Sequence, residues 1–187
     1  NKYFGTLTHT FAVGENRISE AEIMFNPSKS IYNGYPIRPE PTVMLNGKTL
    51  TEVDDYTVKY EDNKTAGTAK VIITGNGFYT GTVTKEFEIQ PASISDAKVT
   101  LPMSSTVYTG KAISPSPTVT LNDKTLPEGT DYTVTYKNNT KPGTASVTIA
   151  GTGNYTGTVT KTFTINPKGT SIKSIAKLKK GFTDKCK

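Results

Sequence analysis

Apolar and polar residues alternate along most of the chain with a period of two. In Tyr56-Thr-Val-Lys-Tyr60 the residues Tyr56, Val58 and Tyr60 fall on one face, while Thr57 and Lys59 fall on the other. Ala69, Val71 and Ile73 do the same a few residues later. Period-two alternation marks a strand with one buried face, because successive side chains of an extended chain point to opposite sides. The same reading predicts strands over residues 1–13, Ile18–Phe25, Thr42–Leu45, Lys48–Leu50 and Thr82–Ile89. Turn signals separate them. Asn46-Gly47 is a two-residue hairpin loop, since both positions tolerate the positive φ that such a loop requires. Asn26–Ser30 and Asp62–Gly67 are polar turn clusters. Gly75-Asn-Gly77 is expected to supply positive φ angles at a sharp reversal. Pro36, Pro39 and Pro41 suit a sheet edge or a crossing between sheets, because proline donates no ladder hydrogen bond.

Most of these signals recur. Tyr132 follows Tyr56 by 76 residues, as Gly110 follows Gly34 and Phe163 follows Phe87. Ile18–Pro91 aligns with Ile94–Pro167 without a gap, and roughly half of the paired positions are identical. Tyr3, Gly5, Thr6, Thr8 and Phe11 match Tyr79, Gly81, Thr82, Thr84 and Phe87 at the same spacing. Self-similarity at a fixed period means a tandem array, and a unit of this length can hold its own core. The chain therefore divides into residues 1–17 (the last strand of a preceding copy), repeat 1 (18–91), repeat 2 (94–167) and a tail (168–187). The tail is expected to open a different module or to form a basic segment. Six or seven short strands per repeat, with turns about every ten residues, predict a two-sheet sandwich. The expected fold is all-β: two tandem Ig-like β-sandwich domains. Ala92 and Ser93 alone lie between the copies, and so short a linker predicts an extended, semi-rigid pair.

Composition supports strands: Thr, Gly, Val and Tyr are abundant. No window has the length and apolarity of a transmembrane span, so no membrane insertion of this stretch is expected. The net charge of +6 would suggest nucleic acid as a partner. Its distribution argues otherwise. Repeat 1 sums to −3, repeat 2 to +2 and the tail to +6, and Arg38 is the one arginine of the two repeats. No nucleic-acid partner is expected. Cys186 is the single cysteine, which excludes a disulfide framework within the chain.

Catalysis fails on inventory. His9 is the only histidine, and its counterparts in the two later copies are Lys85 and Lys161. Nucleophilic chemistry needs a base beside the nucleophile, and no repeated one exists. No cofactor is expected. Asp54, Asp55 and Asp62 could begin a calcium site, but their counterparts are Thr130, Asp131 and Asn138, so no metal is expected either. A loop carboxylate that accepts a backbone N–H before a strand is the simpler role for Asp55. Sugar binding would use exposed aromatic platforms. Nine of the ten tyrosines repeat with the period, which fits core packing. Tyr35 and Phe78, opposite Lys111 and Asn154, break the pattern and are the candidate binding patch.

The run Asp131-Tyr-Thr-Val-Thr-Tyr136, then Gly143-Thr-Ala145, then Gly153-Asn-Tyr-Thr-Gly-Thr-Val-Thr-Lys-Thr-Phe163, resembles the Ig-like repeats of large surface proteins of gut Firmicutes. Repeat 2 matches throughout. Repeat 1 departs at Val53-Asp54 and at Phe78. The tail from Gly169 resembles the opening of a fibronectin type III-like domain, with Cys186 where a tryptophan usually stands. The resemblance implies an extracellular, wall-associated bacterial protein, non-catalytic, serving as a spacer or in adhesion. Neighbouring repeats of the same chain, and a host or dietary glycan or a host protein, would be its partners. The alternative is a carbohydrate- or protein-binding accessory module of a secreted enzyme. The resemblance also raises a Lys–Asn crosslink promoted by a buried carboxylate, with Lys85 and Lys161 on the inward parity.

Overall fold

The structure is a computed structural model that describes residues 16–25 and 29–169. The expected strand over residues 1–13, His9, and the tail with Cys186 lie outside the described residues. The described chain is almost entirely strand and turn.

In repeat 1 the strands are β1 (Asn16–Arg17), β2 (Glu22–Phe25), β3 (Lys29–Ile31), β4 (Pro41–Leu45), β5 (Lys48–Thr49), β6 (Tyr56–Glu61), β7 (Gly67–Gly75), β8 (Tyr79–Thr80) and β9 (Thr82–Gln90). They form a three-stranded sheet in the order β2-β4-β5 and a four-stranded sheet in the order β3-β9-β7-β6. In addition, β1 pairs in parallel with β8. Repeat 2 runs β10 (Ala92–Ser93), β11 (Lys98–Thr100), β12 (Ser105–Val107), β13 (Thr118–Leu121), β14 (Lys124–Thr125), β15 (Tyr132–Lys137), β16 (Gly143–Gly151), β17 (Tyr155–Thr156) and β18 (Thr158–Asn166). Its sheets have the matching orders β11-β13-β14 and β12-β18-β16-β15.

The two sheets of repeat 1 share one core. Val43 and Leu45 from β4, with Ile18, Ala21 and Leu50, pack against Tyr56, Val71, Ile73 and Tyr79. Ala69, Phe87 and Ile89 fill one part of the interior, and Ala145, Phe163 and Ile165 fill its counterpart. Two facing sheets with alternating inward residues make an all-β sandwich.

Most predicted elements stand where the alternation placed them. The tyrosine-bearing strand, the Ala-Val-Ile strand and the closing strand of each repeat are all present. The hairpin loops are two-residue turns with positive φ at both positions: Asn46 at 50° and Gly47 at 78°, Asn122 at 48° and Asp123 at 61°. That combination matches the right-handed twist of the flanking strands.

Three expectations need correction. Ile18–Phe25 is not one strand: Ile18–Glu20 forms a single 3-10 turn, closed by the Ala21 N–H on the Ile18 carbonyl at 3.1 Å, and β2 begins at Glu22. The turn lets Ile18 and Ala21 both point inward, which strict alternation forbids. In Gly75-Asn-Gly77 only Gly77 has a positive φ, at 63°. Gly75 is required for space, since a Cβ there would sit 2.7 Å from the Tyr79 carbonyl carbon. Finally, Ala92 and Ser93 are not bare linker but the strand β10, which pairs with β17.

The chain forms two compact units. The first comprises residues up to Ala92 together with Gly153–Tyr155, and the second takes Ser93–Thr152 and the residues from Thr156.

Candidate functional site

The side chains that the sequence singled out do not converge. Tyr35 and Phe78 are both exposed, at 73% and 89%. Tyr35 follows β3, whose end is tied to the end of β9 by the Tyr32 N–H on the Gln90 carbonyl at 2.8 Å. Phe78 precedes the start of β9, in the turn between Gly75 and Tyr79. The nine residues of β9 lie between those two ends, a span of roughly 27 Å at the usual rise per residue. The two aromatics therefore adjoin opposite ends of β9. Beside Tyr35 runs an open groove whose walls include Asn33, Pro36, Arg38 and Glu40. Repeat 2 carries Lys111 at the Tyr35 position and Ser114 and Ser116 at the Arg38 and Glu40 positions, so the charged side chains of this lining are not kept there.

The turn that carries Phe78 is joined to a loop that the pattern did not connect with it. Val53 is 72% exposed, and its loop is held against the Phe78 turn. The Asn76 side-chain amide donates to the Val53 carbonyl at 2.6 Å, and the Asn76 N–H donates to the Asp55 carbonyl at 2.8 Å. Val53 is held at φ 79°, a region that β-branched residues rarely adopt. Repeat 2 has Gly129 there, at φ 83°. The backbone shape is thus the same in both copies, and repeat 1 tolerates strain to hold an apolar side chain at that point.

Asp55 plays the loop role expected of it. Its Oδ2 accepts the Thr51 N–H at 3.0 Å and faces Lys48 Nζ at 3.8 Å. Lys48 also donates to the Tyr79 hydroxyl at 3.0 Å. That hydrogen bond, with the nearby Asp55 carboxylate, raises the Lys48 pKa above its ordinary value. Among the described residues no group of three or more His, Cys, Asp or Glu is placed to hold a metal ion. Lys85 and Lys161 share parity with Phe87 and Phe163 but are exposed, and the one buried polar or charged residue described is Asn63. The setting expected for a Lys–Asn crosslink, with its buried carboxylate, is therefore not found among the described residues.

The residues that sequence reasoning undervalued hold the proline segment in place. Asn63, 7% exposed, donates its side-chain amide to the Ile37 carbonyl at 2.8 Å, while the Ile37 N–H donates to the Asn63 carbonyl at 2.8 Å. Asn139 repeats both bonds with Ile113 at 3.0 and 2.9 Å. Tyr60 donates to the Pro39 carbonyl at 2.7 Å and Tyr136 to the Pro115 carbonyl at 2.8 Å. The paired prolines leave carbonyls that no ladder satisfies, and these side chains satisfy them. Burial, aided by Glu52 and Glu40, raises the Tyr60 pKa, and burial, aided by Glu128, raises that of Tyr136. The signal was present in the sequence as an asparagine and a Pro-x-Pro pair kept in both copies. Asn63 heads the Asn63-Lys-Thr sequon, but its amide is committed to Ile37.

No family model, curated protein or solved structure matches the chain.

Proposed function

We propose that this chain is a non-catalytic, load-bearing spacer from the outer surface of a bacterium, in which sandwich repeats carry a distal activity away from the wall. The observation that carries the reading is strand direction. In each repeat an early strand pairs in parallel with the last one: Lys29–Ile31 against Glu88–Gln90, and Ser105–Val107 against Thr164–Asn166. Tension applied to the two ends of a repeat pulls parallel neighbours in opposite directions along their length. Their hydrogen bonds are loaded together in shear, rather than opened one at a time. Both repeats keep this pairing and the same fully buried residues, while exposed residues such as Tyr35, Arg38 and Glu40 are replaced by Lys111, Ser114 and Ser116, which is the pattern expected when selection acts on the frame. The surface location rests on the resemblance to Ig-like repeats of Firmicutes surface proteins.

Single-molecule stretching of the chain tests the proposal. Two resolved unfolding peaks are expected, one per repeat. Thr106 lies midway between Ser104, whose carbonyl accepts the Thr164 N–H at 3.0 Å, and Tyr108, whose N–H donates to the Asn166 carbonyl at 2.8 Å. Proline cannot donate in the ladder. Thr106→Pro should lower one peak and leave the other unchanged. Extension without a resolvable force peak in the parent chain would end the load-bearing reading.

A further inference from the structure

Repeat 1 contains three Asn-Gly pairs: Asn33-Gly34, Asn46-Gly47 and Asn76-Gly77. Their counterparts in repeat 2 are Thr109-Gly110, Asn122-Asp123 and Thr152-Gly153, so repeat 2 has none. The pair carries a chemistry of its own. The backbone nitrogen that follows an asparagine can attack the side-chain carbonyl carbon, and a glycine nitrogen is the least hindered because no Cβ stands beside it. All three asparagines are exposed, so access to water does not separate them. Local geometry does.

Asn46 is held at φ 50°, in the left-handed region. There the chain leaves the residue with the next nitrogen roughly opposite the Cβ, which turns the Gly47 nitrogen away from the side chain. Asn76 is occupied. Its side-chain amide donates to the Val53 carbonyl at 2.6 Å, and its backbone N–H donates to the Asp55 carbonyl at 2.8 Å. Bringing its Cγ onto the Gly77 nitrogen would break the first of these bonds. Asn33 has neither restraint. It is not among the left-handed residues, and its Oδ1 accepts the Tyr35 N–H at 2.9 Å. That bond folds the side-chain carbonyl over the Gly34 peptide. It also sets a donor on the oxygen that becomes negative when a nucleophile adds to Cγ, as in an oxyanion hole. A Cβ at Gly34 would meet nothing within 4 Å, so the fold leaves room there for a solvent base. Repeat 2 makes the same turn without the reactive group. The Lys111 N–H donates to Thr109 Oγ1 at 3.4 Å, and a hydroxyl offers no carbonyl carbon.

We propose that Asn33 is a self-modification site, at which repeat 1 converts a side-chain amide into a carboxylate without an enzyme. Solvent base removes the Gly34 N–H proton as the nitrogen bonds to Cγ. The Cγ–Nδ2 bond then breaks, and the amide nitrogen takes a proton from water and leaves as ammonia. Water opens the resulting five-membered imide at one of its two carbonyls, leaving aspartate or isoaspartate at position 33. Nothing is oxidised or reduced. Either product adds one negative charge to the groove walled by Asn33, Arg38 and Glu40, whose side-chain charges otherwise balance. This chemistry is independent of the spacer reading.

Incubation of the full chain at mildly alkaline pH, both native and in denaturant, tests it. Peptide mapping by tandem mass spectrometry follows each asparagine, since each conversion adds about 1 Da. In denaturant the three sites should react at similar rates. In the native chain Asn46 and Asn76 should slow by roughly tenfold or more, because the geometry of attack is withheld, while Asn33 should keep most of its rate. Asn33→Thr installs the residue that repeat 2 carries at an exposed position; it should abolish the native mass gain while the fold, checked by circular dichroism, is retained. Native rates at Asn46 or Asn76 that equal the rate at Asn33 would overturn the proposal, as would an Asn33 that stays unmodified in the native chain.

Discussion

Repeats 1 and 2 agree at their fully buried positions and differ at several exposed ones at their ends. Ile18, Val43, Val71 and Ile73 are fully buried, and so are Ile94, Val119, Val147 and Ile149 at the matching positions. Three changes at the ends stand out: Val53 against Gly129, Phe78 against Asn154, and Ala66 against Pro142. The interior cannot drift, because any change of volume in a close-packed core costs stability in that copy at once. The ends face whatever each copy meets, and that differs with position in an array. Divergence at these exposed end positions therefore reports on contacts rather than on folding.

The largest test of this comparison lies in the cores. Phe87→Ala and Phe163→Ala should each cost about 3–5 kcal/mol, the range for deleting a buried aromatic ring. Phe87 is also 6.1 Å from the Phe25 ring, where repeat 2 has Leu101. Repeat 1 should therefore lose about 0.5–1.5 kcal/mol more than repeat 2, the usual worth of an aromatic pair. Amide exchange at Val71 and Val147 in the intact chain reads each loss separately. Losses that differ several-fold would mean that the two interiors are not equivalent after all.

A smaller effect, opposite in sign between the copies, is expected at the strained loop. Val53→Gly should stabilise repeat 1 by about 1 kcal/mol, because relief of the positive φ outweighs the added freedom of the unfolded chain. Gly129→Val should destabilise repeat 2 by about 1–3 kcal/mol for the same reason. Chemical denaturation of both variants checks the pair, and a destabilised Val53→Gly would show that Val53 packs usefully within its own repeat.

The smallest difference concerns pH. Burial raises the pKa of Tyr56 first, then Glu52, Asp55 and Glu40 add to it; for Tyr132 burial is followed by Glu128 and Tyr136. A phenol whose folded pKa is raised contributes stability that is complete below the unfolded value of about 10 and is lost as pH rises through the folded value. Both repeats should weaken above that pH. Repeat 1, with more carboxylates around its tyrosines, should weaken more steeply. Thermal unfolding followed from pH 9 upward would show a falling midpoint, and a flat one would mean that burial of the Tyr56 and Tyr132 phenols contributes nothing measurable.

The fold was legible from alternation because a strand half-buried in a sandwich writes its burial directly into a period of two. Ala69, Val71 and Ile73 were readable for that reason, and Asn46-Gly47 because few residue pairs accept its φ angles. Ile18–Glu20 was not readable as a turn, since one helical turn is too short to leave a period. The different tasks of Gly75 and Gly77 were equally hidden, because close approach to the Tyr79 backbone depends on a segment that folds back from later in the chain. The candidate patch shows the same boundary. Exposure of Tyr35 and Phe78 could be inferred from their failure to repeat, but their separation could not, since it depends on which end of β9 each one adjoins.

Sequence alone determined the strand character, the 76-residue period and the identity of the core, because these depend on local geometry and on comparing a copy with itself. Tertiary structure alone decided the parallel pairing of early and last strands, the satisfaction of the proline-segment carbonyls by Asn63 and Tyr60, and the meeting of the Val53 loop with the Phe78 turn. Each of these joins residues that are distant in the chain, and such pairings leave no mark on the local pattern of either partner.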